Sequence, residues 1–244
     1  MYSLTFISEE NFHNHIEETI KTYLKHLDLV DLNKNLLDPI KLNFDKAVFH
    51  KSAVDLVKSE IERQIDKSNN NAIGYFHQNI FKYIKNCIVP SHGFDVIYTR
   101  SNGEKVYVEM KNKHNTMNSS SSQKTYLSMQ NQLIKEPNCS CYLVEAIAKK
   151  SQDIPWKVKV NGDILFNEKI RRVSLDRFYA EVTGDELAFY KMCQELSSFL
   201  DKYENSSTAK QNNNMEKILQ EISNINPDII KAIFKLSFPD YLGF

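Results

Sequence analysis

Apolar side chains in the first third of the chain recur at the spacing of one helix face. Residues 10–27 carry them mostly three or four positions apart, which predicts an amphipathic helix. Asp38-Pro39 interrupts the next segment, and further helices are predicted at about 46–67 and 72–86. The polar run Ser68-Asn69-Asn70-Asn71 separates these two helices. The N-terminal part of the chain is therefore expected to be helical.

Alternating apolar and polar positions replace this spacing in the middle of the chain. Residues 94–111 predict two strands joined by Ser101-Asn102-Gly103, which is typical of a hairpin loop. The strongly apolar run 141–148 predicts a further strand, and residues 156–168 predict a second small hairpin around Asn161-Gly162. These segments are expected to build a sheet.

Helical spacing returns between and after these strands. The predicted helices are 120–135, 174–182 with Ser174 as N-cap, about 185–203, and two short ones in the last thirty residues. Helices before and after a mixed central sheet predict an α/β fold in which helices outnumber strands.

The length of 244 residues allows one large domain with a small appendage. The stretch 204–214 is polar and resembles a linker, so we expect a main domain of residues 1–203 and a helical appendage of residues 215–244. No signal peptide and no apolar run of membrane-spanning length is evident, which predicts a cytoplasmic protein without a membrane partner.

The register of the predicted hairpin decides which side chains share a face of the sheet. Side chains alternate along a strand, so Glu109 and Lys111 point to the same face. A two-residue Asn-Gly turn would place Asp95 opposite Met110, on the other face. A three-residue loop with Gly103 in the left-handed conformation instead places Asp95 opposite Glu109. We predict the three-residue loop.

Two carboxylates and one ammonium on one face suit metal-dependent hydrolysis of a phosphodiester. Carboxylate oxygens bind Mg²⁺ well, and the cation shields the anionic phosphate while water attacks. A nearby lysine orients the water or stabilises developing charge. The alternative is an ordinary hairpin with solvated charges, because Asp…Glu-x-Lys is short and common. The polar run 112–124 favours the hydrolytic interpretation, since its many donors suit phosphate and base contacts; its own alternative is a flexible surface loop.

These residues resemble a known family. Gly93-Phe94-Asp95, the run 109–115 and the Ser/Gln/Lys stretch through Tyr126 are similar to type II restriction endonucleases of the PD-(D/E)xK superfamily, in particular the group that cuts GGNCC or GGWCC sites. The similarity extends more loosely from Gly74 to Gly184. Phe94 stands where the superfamily usually has proline, at a position that takes no part in the chemistry.

The resemblance implies a restriction-endonuclease-like fold and a Mg²⁺-dependent, site-specific endodeoxyribonuclease that leaves 5′-phosphate ends on double-stranded DNA. Asp95, Glu109 and the Met110 carbonyl would be metal ligands, and Lys111 would assist the attacking water. Cutting both strands of a near-palindromic site suggests a homodimer, with a cognate DNA methyltransferase as functional partner. The residues expected to contact DNA are Asn112, Lys113, His114, Asn115, Asn118, Ser119, Ser120, Gln123, Lys124, Arg171 and Arg172.

Charge and cysteine content narrow these expectations. The 31 basic and 31 acidic residues balance, which disfavours nonspecific nucleic-acid binding but not a sequence-specific enzyme with a basic cleft. The four cysteines lack paired metal-ligand spacing, so reduced thiols are expected rather than a zinc site.

Two other functional classes remain open at this stage. A repair or junction-resolving nuclease would use the same core, and a non-catalytic DNA-binding module would use the acidic residues structurally. Gln78 would either touch the site or satisfy a polar group in the core.

Overall fold

The computed structural model describes residues 2–23, 27–114, 116–160, 162–206 and 214–238. Its helices are α1 (Glu9–Tyr23), α2 (Leu29–Lys34), α3 (Pro39–Phe49), α4 (Ala53–Asn79), α5 (Ser119–Lys135), α6 (Leu175–Thr183), α7 (Ala188–Ser206), α8 (Asn214–Ile225) and α9 (Ile229–Ser237). Its strands are β1 (Cys87–Ile88), β2 (Val96–Thr99), β3 (Lys105–Lys113), β4 (Ser140–Ile147), β5 (Asp153–Pro155), β6 (Val158–Val160), β7 (Asp163–Leu165) and β8 (Ile170–Ser174). Within this part of the chain, no helix is long and apolar enough to cross a membrane.

The chain divides into two compact units, which differ from the domains predicted above. Unit 1 comprises Met1–Ile20 and Ala72–Ser207, and unit 2 comprises Lys21–Asn71 and Thr208–Phe244. The C-terminal helices α8 and α9 are therefore no separate appendage, because they share a buried core with the segment before residue 72. The members of that core include Leu42, Leu56, Val57, Ile61, Ile218, Ile222, Ile230 and Ile233. The predicted linker lies mostly outside the described residues.

Unit 1 contains a mixed sheet with strand order β1-β2-β3-β4-β8-β5. Strands β1, β2 and β3 pair antiparallel, β3, β4 and β8 pair parallel, and β5 closes the edge antiparallel to β8. Helices accompany this sheet along the chain, so the predicted α/β class is confirmed. The second predicted hairpin is also present, as the β6–β7 pair, although Asn161 of its turn lies outside the described residues.

Each face of the sheet has its own apolar core. On one face Val106, Val108 and Val144 lie in a cluster that also holds aromatic residues of α1 and α6. On the other face Tyr107 and Leu143 pack with residues of α5 and with Trp156. Strand β4 is buried on both sides, as its uninterrupted apolar run requires.

Two helix boundaries predicted from the sequence are wrong, one near residue 46 and one at the asparagine-rich run. The helix predicted at about 46–67 is interrupted at residues 50–52: its first residues belong to α3 and the rest to α4. Helix α3 begins at Pro39 because Asp38 accepts hydrogen bonds from the N–H groups of Ile40 and Lys41. It ends before His50, which adopts a left-handed conformation. Helix α4 then continues through the asparagine-rich run, because buried apolar residues support it on both sides of that run.

Candidate active site

The β2–β3 hairpin has the register predicted from the sequence. Val96 pairs with Val108, and the N–H of Asp95 donates to the Val108 carbonyl at 2.9 Å, so Asp95 lies opposite Glu109. The loop has three residues, and Gly103 closes it with φ +85°. This positive φ favours glycine, since a side chain there is strained. The three-residue loop is confirmed.

The polar end of the sheet lies where the parallel strands β3 and β4 approach their carboxyl ends. Tyr107, Glu109 and Lys111 lie on the same face of β3. Tyr107 is buried, whereas Glu109 and Lys111, nearer the end of the strand, are half-buried. Lys111 pairs in register with Glu145 of β4. Ligand sites in α/β sheets form at such strand ends, where apolar packing stops.

Three hydrogen bonds hold the candidate residues in place. Lys111 Nζ donates to Glu109 Oε1 at 2.8 Å, and Asp95 Oδ2 accepts from the Met110 N–H at 2.7 Å. Gln78 of α4 donates from Nε2 to the Asp95 carbonyl at 3.3 Å. On the same helix Gly74 leaves room for Asn112, whose Oδ1 lies 3.3 Å from where a Cβ would stand. Helix α4 therefore packs directly beside the two carboxylates.

The surroundings of Asp95 disfavour the ionised form of its carboxyl group. Burial raises the pKa of the Asp95 carboxyl above its ordinary value of 3.8, and the charge of Glu109 raises it further. The Met110 N–H and the Lys111 amine lower the pKa but do not offset the rise. A cation between the two carboxylates would relieve this penalty.

The donor set suits Mg²⁺ better than a transition metal. No group of three His, Cys, Asp or Glu residues that could hold a metal occurs among the described residues. Two carboxylates are nevertheless sufficient for Mg²⁺, which keeps several waters and takes further oxygens from substrate phosphate. Asp95 and Glu109 would supply those two carboxylates, and the Met110 carbonyl belongs to the same stretch of β3 as Glu109.

A buried ionic cluster adjoins Lys111. Glu145 is 1 % exposed, and it accepts from Arg172 Nε at 2.9 Å and from Arg172 Nη2. His114 Nδ1 lies 3.2 Å from both oxygens of Glu145 and 2.6 Å from Arg172 Nη2. Burial alone would raise the pKa of Glu145, but the hydrogen bonds from Arg172 and His114 lower it below its ordinary value. This cluster joins the end of β3 to β4 and β8.

The residues predicted to contact DNA divide into exposed and internally bound groups. Lys113, Ser119, Ser120 and Lys124 are exposed where β3 leads into α5. Asn118 caps α5 by accepting from the Ser121 N–H, and Gln123 donates to the Lys159 carbonyl. Asn115 lies outside the described residues.

The two adjacent arginines point to opposite faces of β8, because side chains alternate along a strand. Arg172 is bound to Glu145, as described above. Arg171 donates from Nε to Asp153 Oδ1 at 2.5 Å. The structure thus does not bring both guanidinium groups to the polar face that carries Lys111.

Sequence reasoning missed Glu145, although one signal for it exists. Glu145 is an acidic residue inside the apolar run 141–148, and a buried charge requires a partner. The partner, Arg172, is 27 positions away on a strand that the sequence pattern did not predict. Gln78 was identified from its neighbours, and its contact with Asp95 fits either of the roles left open above.

Comparison with known proteins adds two findings. A family model described as Eco47II restriction endonuclease matches residues 4–205 of this chain. The type II restriction enzyme Sau96I of Staphylococcus aureus is 27% identical, over 99% of this chain and 98% of that enzyme.

Proposed function

The chain belongs to the Eco47II restriction endonuclease family, and from that premise we propose that this type II restriction endonuclease cleaves DNA with Asp95, Glu109 and Lys111 in the presence of Mg²⁺. The observation that carries the proposal is the hairpin register, because it brings both carboxylates and the amine to one face. Neither a non-catalytic module nor an ordinary hairpin requires such a convergence of charges.

Different residues of the chain have different roles in the proposed hydrolysis. Bound Mg²⁺ would neutralise charge on the scissile phosphate and lower the pKa of the attacking water. Asp95 and Glu109, together with the Met110 carbonyl, would hold the cation. Lys111 orients the attacking water, whose oxygen forms a bond to phosphorus while the bond from phosphorus to the 3′ oxygen breaks. The attacking water releases a proton to solvent and the leaving 3′ oxygen takes one from solvent, so that the products are a 5′-phosphate and a 3′-hydroxyl.

The segment from Asn112 to Lys124 binds the DNA beside the cut. Its exposed lysines and serines suit phosphate oxygens, which position the duplex, whereas base edges specify the sequence. His114 and Arg172 act there through Glu145, by fixing the path of the chain that leaves β3. Arg171 contributes less, because Asp153 already occupies its guanidinium group.

The recognised sequence is of the GGNCC or GGWCC type, as the motif resemblance implies. A homodimer matches the symmetry of such a site, and a methyltransferase of the same specificity protects the host DNA.

Plasmid digestion tests the proposal directly. We expect purified protein with Mg²⁺ to give discrete fragments whose sequenced ends carry 5′-phosphates within one GGNCC-like site. Lys111→Ala protein, purified identically, is the control for contaminating nucleases. Progressive shortening from ends, or cleavage confined to branched substrates, would instead identify a repair or junction-resolving nuclease on the same core.

A thermal-shift comparison tests the metal site without measuring cleavage. Asp95→Asn keeps an oxygen for the Met110 N–H but removes the charge. Since the pKa of Asp95 is raised, the wild-type protein loses stability as the pH rises through the interval above 3.8. We expect metal-free Asp95→Asn to have the higher Tm at neutral pH, with a difference that shrinks as the pH falls toward 3.8.

Added Mg²⁺ should raise the Tm of the wild type relative to that of Asp95→Asn. Millimolar Mg²⁺ is expected to raise the Tm of the wild type, because it binds only the folded site, and to leave Asp95→Asn unchanged. Asp153→Asn, which changes an exposed carboxylate elsewhere in unit 1, should respond to Mg²⁺ like the wild type. An equal Mg²⁺ shift in wild type and Asp95→Asn would contradict a cation site at Asp95.

Salt dependence of binding tests the role of the 112–124 segment. We expect Lys124→Ala to weaken binding to all DNA sequences and to lower the slope of log K against log salt by about 1, because one phosphate contact is lost. Arg171→Ala is the matched control, since its guanidinium group is already bound to Asp153. A larger loss of binding affinity for Arg171→Ala than for Lys124→Ala would indicate that DNA contacts β8 rather than the 112–124 segment.

A further inference from the structure

Helix α3 of unit 2 carries several exposed apolar side chains. Ile40, Phe44 and Val48 follow one another at intervals of four residues, so they form one stripe along the helix. Their exposed fractions are 56%, 67% and 63%, and Phe49 at the end of the helix is 63% exposed. The opposite side of α3 is anchored in the core of unit 2 by Pro39 and Leu42. The helix is thus fixed in place while its apolar stripe faces solvent.

We propose that the α3 stripe, defined as Ile40, Phe44, Val48 and Phe49, is the surface on which two copies of this chain associate. The proposal rests on the proposed function, since cutting both strands of a symmetric site requires two sets of Asp95, Glu109 and Lys111. A two-fold interface uses the same patch on both copies, so the patch must be complementary to itself. The α3 stripe satisfies that requirement in shape, charge and area.

Antiparallel pairing about Phe44 makes the stripe complementary to itself. Ile40 of one copy then packs against Val48 of the second, and the two Phe44 rings meet at the centre. On the flank of the stripe Lys41 and Asp45 form an ion pair within the helix. With a rise of about 1.5 Å per residue, Lys41 of one copy lies only about 3 Å along the axis from Asp45 of the second copy. Along that flank the order is therefore Lys41, Asp45 of the second copy, Asp45, and Lys41 of the second copy, so each lysine lies beside an aspartate of the other copy and the two aspartates are neighbours at the centre.

The apolar area of the stripe matches the core of a stable interface. At the exposures above, the four side chains present roughly 400–500 Å². A typical interface buries about 800 Å² on each partner, of which somewhat more than half is apolar. The balance of 31 basic and 31 acidic residues also leaves no net charge to repel a second copy.

Sedimentation equilibrium of the full-length protein, without DNA or metal, tests the proposal. We expect the wild type to dimerise and Phe44→Asp to weaken self-association at least about 100-fold, because it places two like charges at the centre of the interface. Because Phe44 is exposed, Phe44→Asp should keep the fold, and its far-UV circular dichroism spectrum should match that of the wild type. The matched control is Ile134→Asp, on an exposed apolar position of α5 that is 77% exposed, and it should dimerise like the wild type.

A charge exchange provides a second test of the antiparallel geometry. Lys41→Glu alone should weaken the dimer, and Lys41→Glu with Asp45→Lys should restore it. A monomeric wild type at tens of micromolar, or a dimer that Phe44→Asp leaves intact, would overturn the proposal. Protection of the α3 stripe in a monomer, for example by residues 239–244, would also overturn it. Because the assay needs no cleavage, its outcome is independent of whether Lys111 acts in hydrolysis.

Discussion

Replacing Lys111 by alanine is expected to slow cleavage of bound DNA by roughly 10²–10⁴-fold while specific binding is retained. The amine lies 2.8 Å from Glu109, so its loss removes the group that we propose acts on the attacking water. Its side chain is half-buried and, among the described residues, forms an ion pair with Glu109, so the substitution should leave the fold intact. Single-turnover rates on a duplex with one site measure the effect.

Lys113→Ala is the matched control, because Lys113 follows two residues later on the same strand and points to the same face. It is exposed, so it should weaken DNA binding without changing the rate of the bound complex. Filter binding without Mg²⁺ separates the two quantities. A Lys111→Ala protein that loses binding but turns over bound DNA at the wild-type rate would exclude the hydrolytic role.

Glu145→Ala is expected to have the largest effect on stability, a loss of about 3–5 kcal/mol in the free energy of unfolding. The substitution removes the carboxylate that neutralises Arg172 and leaves a partly buried guanidinium without its partner. Urea denaturation of the metal-free protein measures the loss. Asp153→Ala is the comparison. The ion pair of Asp153 with Arg171 is more exposed, so its loss should lower the free energy of unfolding by only about 0–1 kcal/mol.

A double substitution distinguishes the stability contributed by the Glu145–Arg172 ion pair from the cost of leaving one of its charges buried alone. Glu145→Leu with Arg172→Met should recover most of the stability that Glu145→Ala loses, because no buried charge then remains unpaired. The pKa of Glu145 is lowered, so its contribution is fully present above 4.5 and is lost as the pH falls through the lowered value. A Glu145→Ala protein as stable as wild type at neutral pH would show that Arg172 finds another partner.

The fold and the candidate site were predictable where local patterns decide the structure. Alternation from 94 to 111 and the glycine at position 103 were sufficient to predict the hairpin and its register, because loop length and strand pairing are local. The apolar run 141–148 likewise predicted β4, within one or two residues.

Elements whose formation depends on distant partners were not predictable in this way. Strand β8 holds Arg171-Arg172, which the sequence suggested as one basic group, but the sheet directs them to opposite faces. The asparagine-rich run at 69–71 predicted a break, yet apolar contacts on either side keep α4 continuous. The division into two units could not be seen either, because it depends on contacts between α8, α9 and residues more than 150 positions earlier.

The loop Ser101-Asn102-Gly103 is exposed, and exposed loops are ordinarily where protein families gain and lose residues. Here a single added or deleted residue would shift the pairing of β2 by one position and turn Asp95 away from Glu109. Evolution can therefore vary the identity of Ser101 and Asn102 while the number of residues between the two strands stays constant. A solvent-facing turn is in this way subject to the same selection as the acidic residues it aligns.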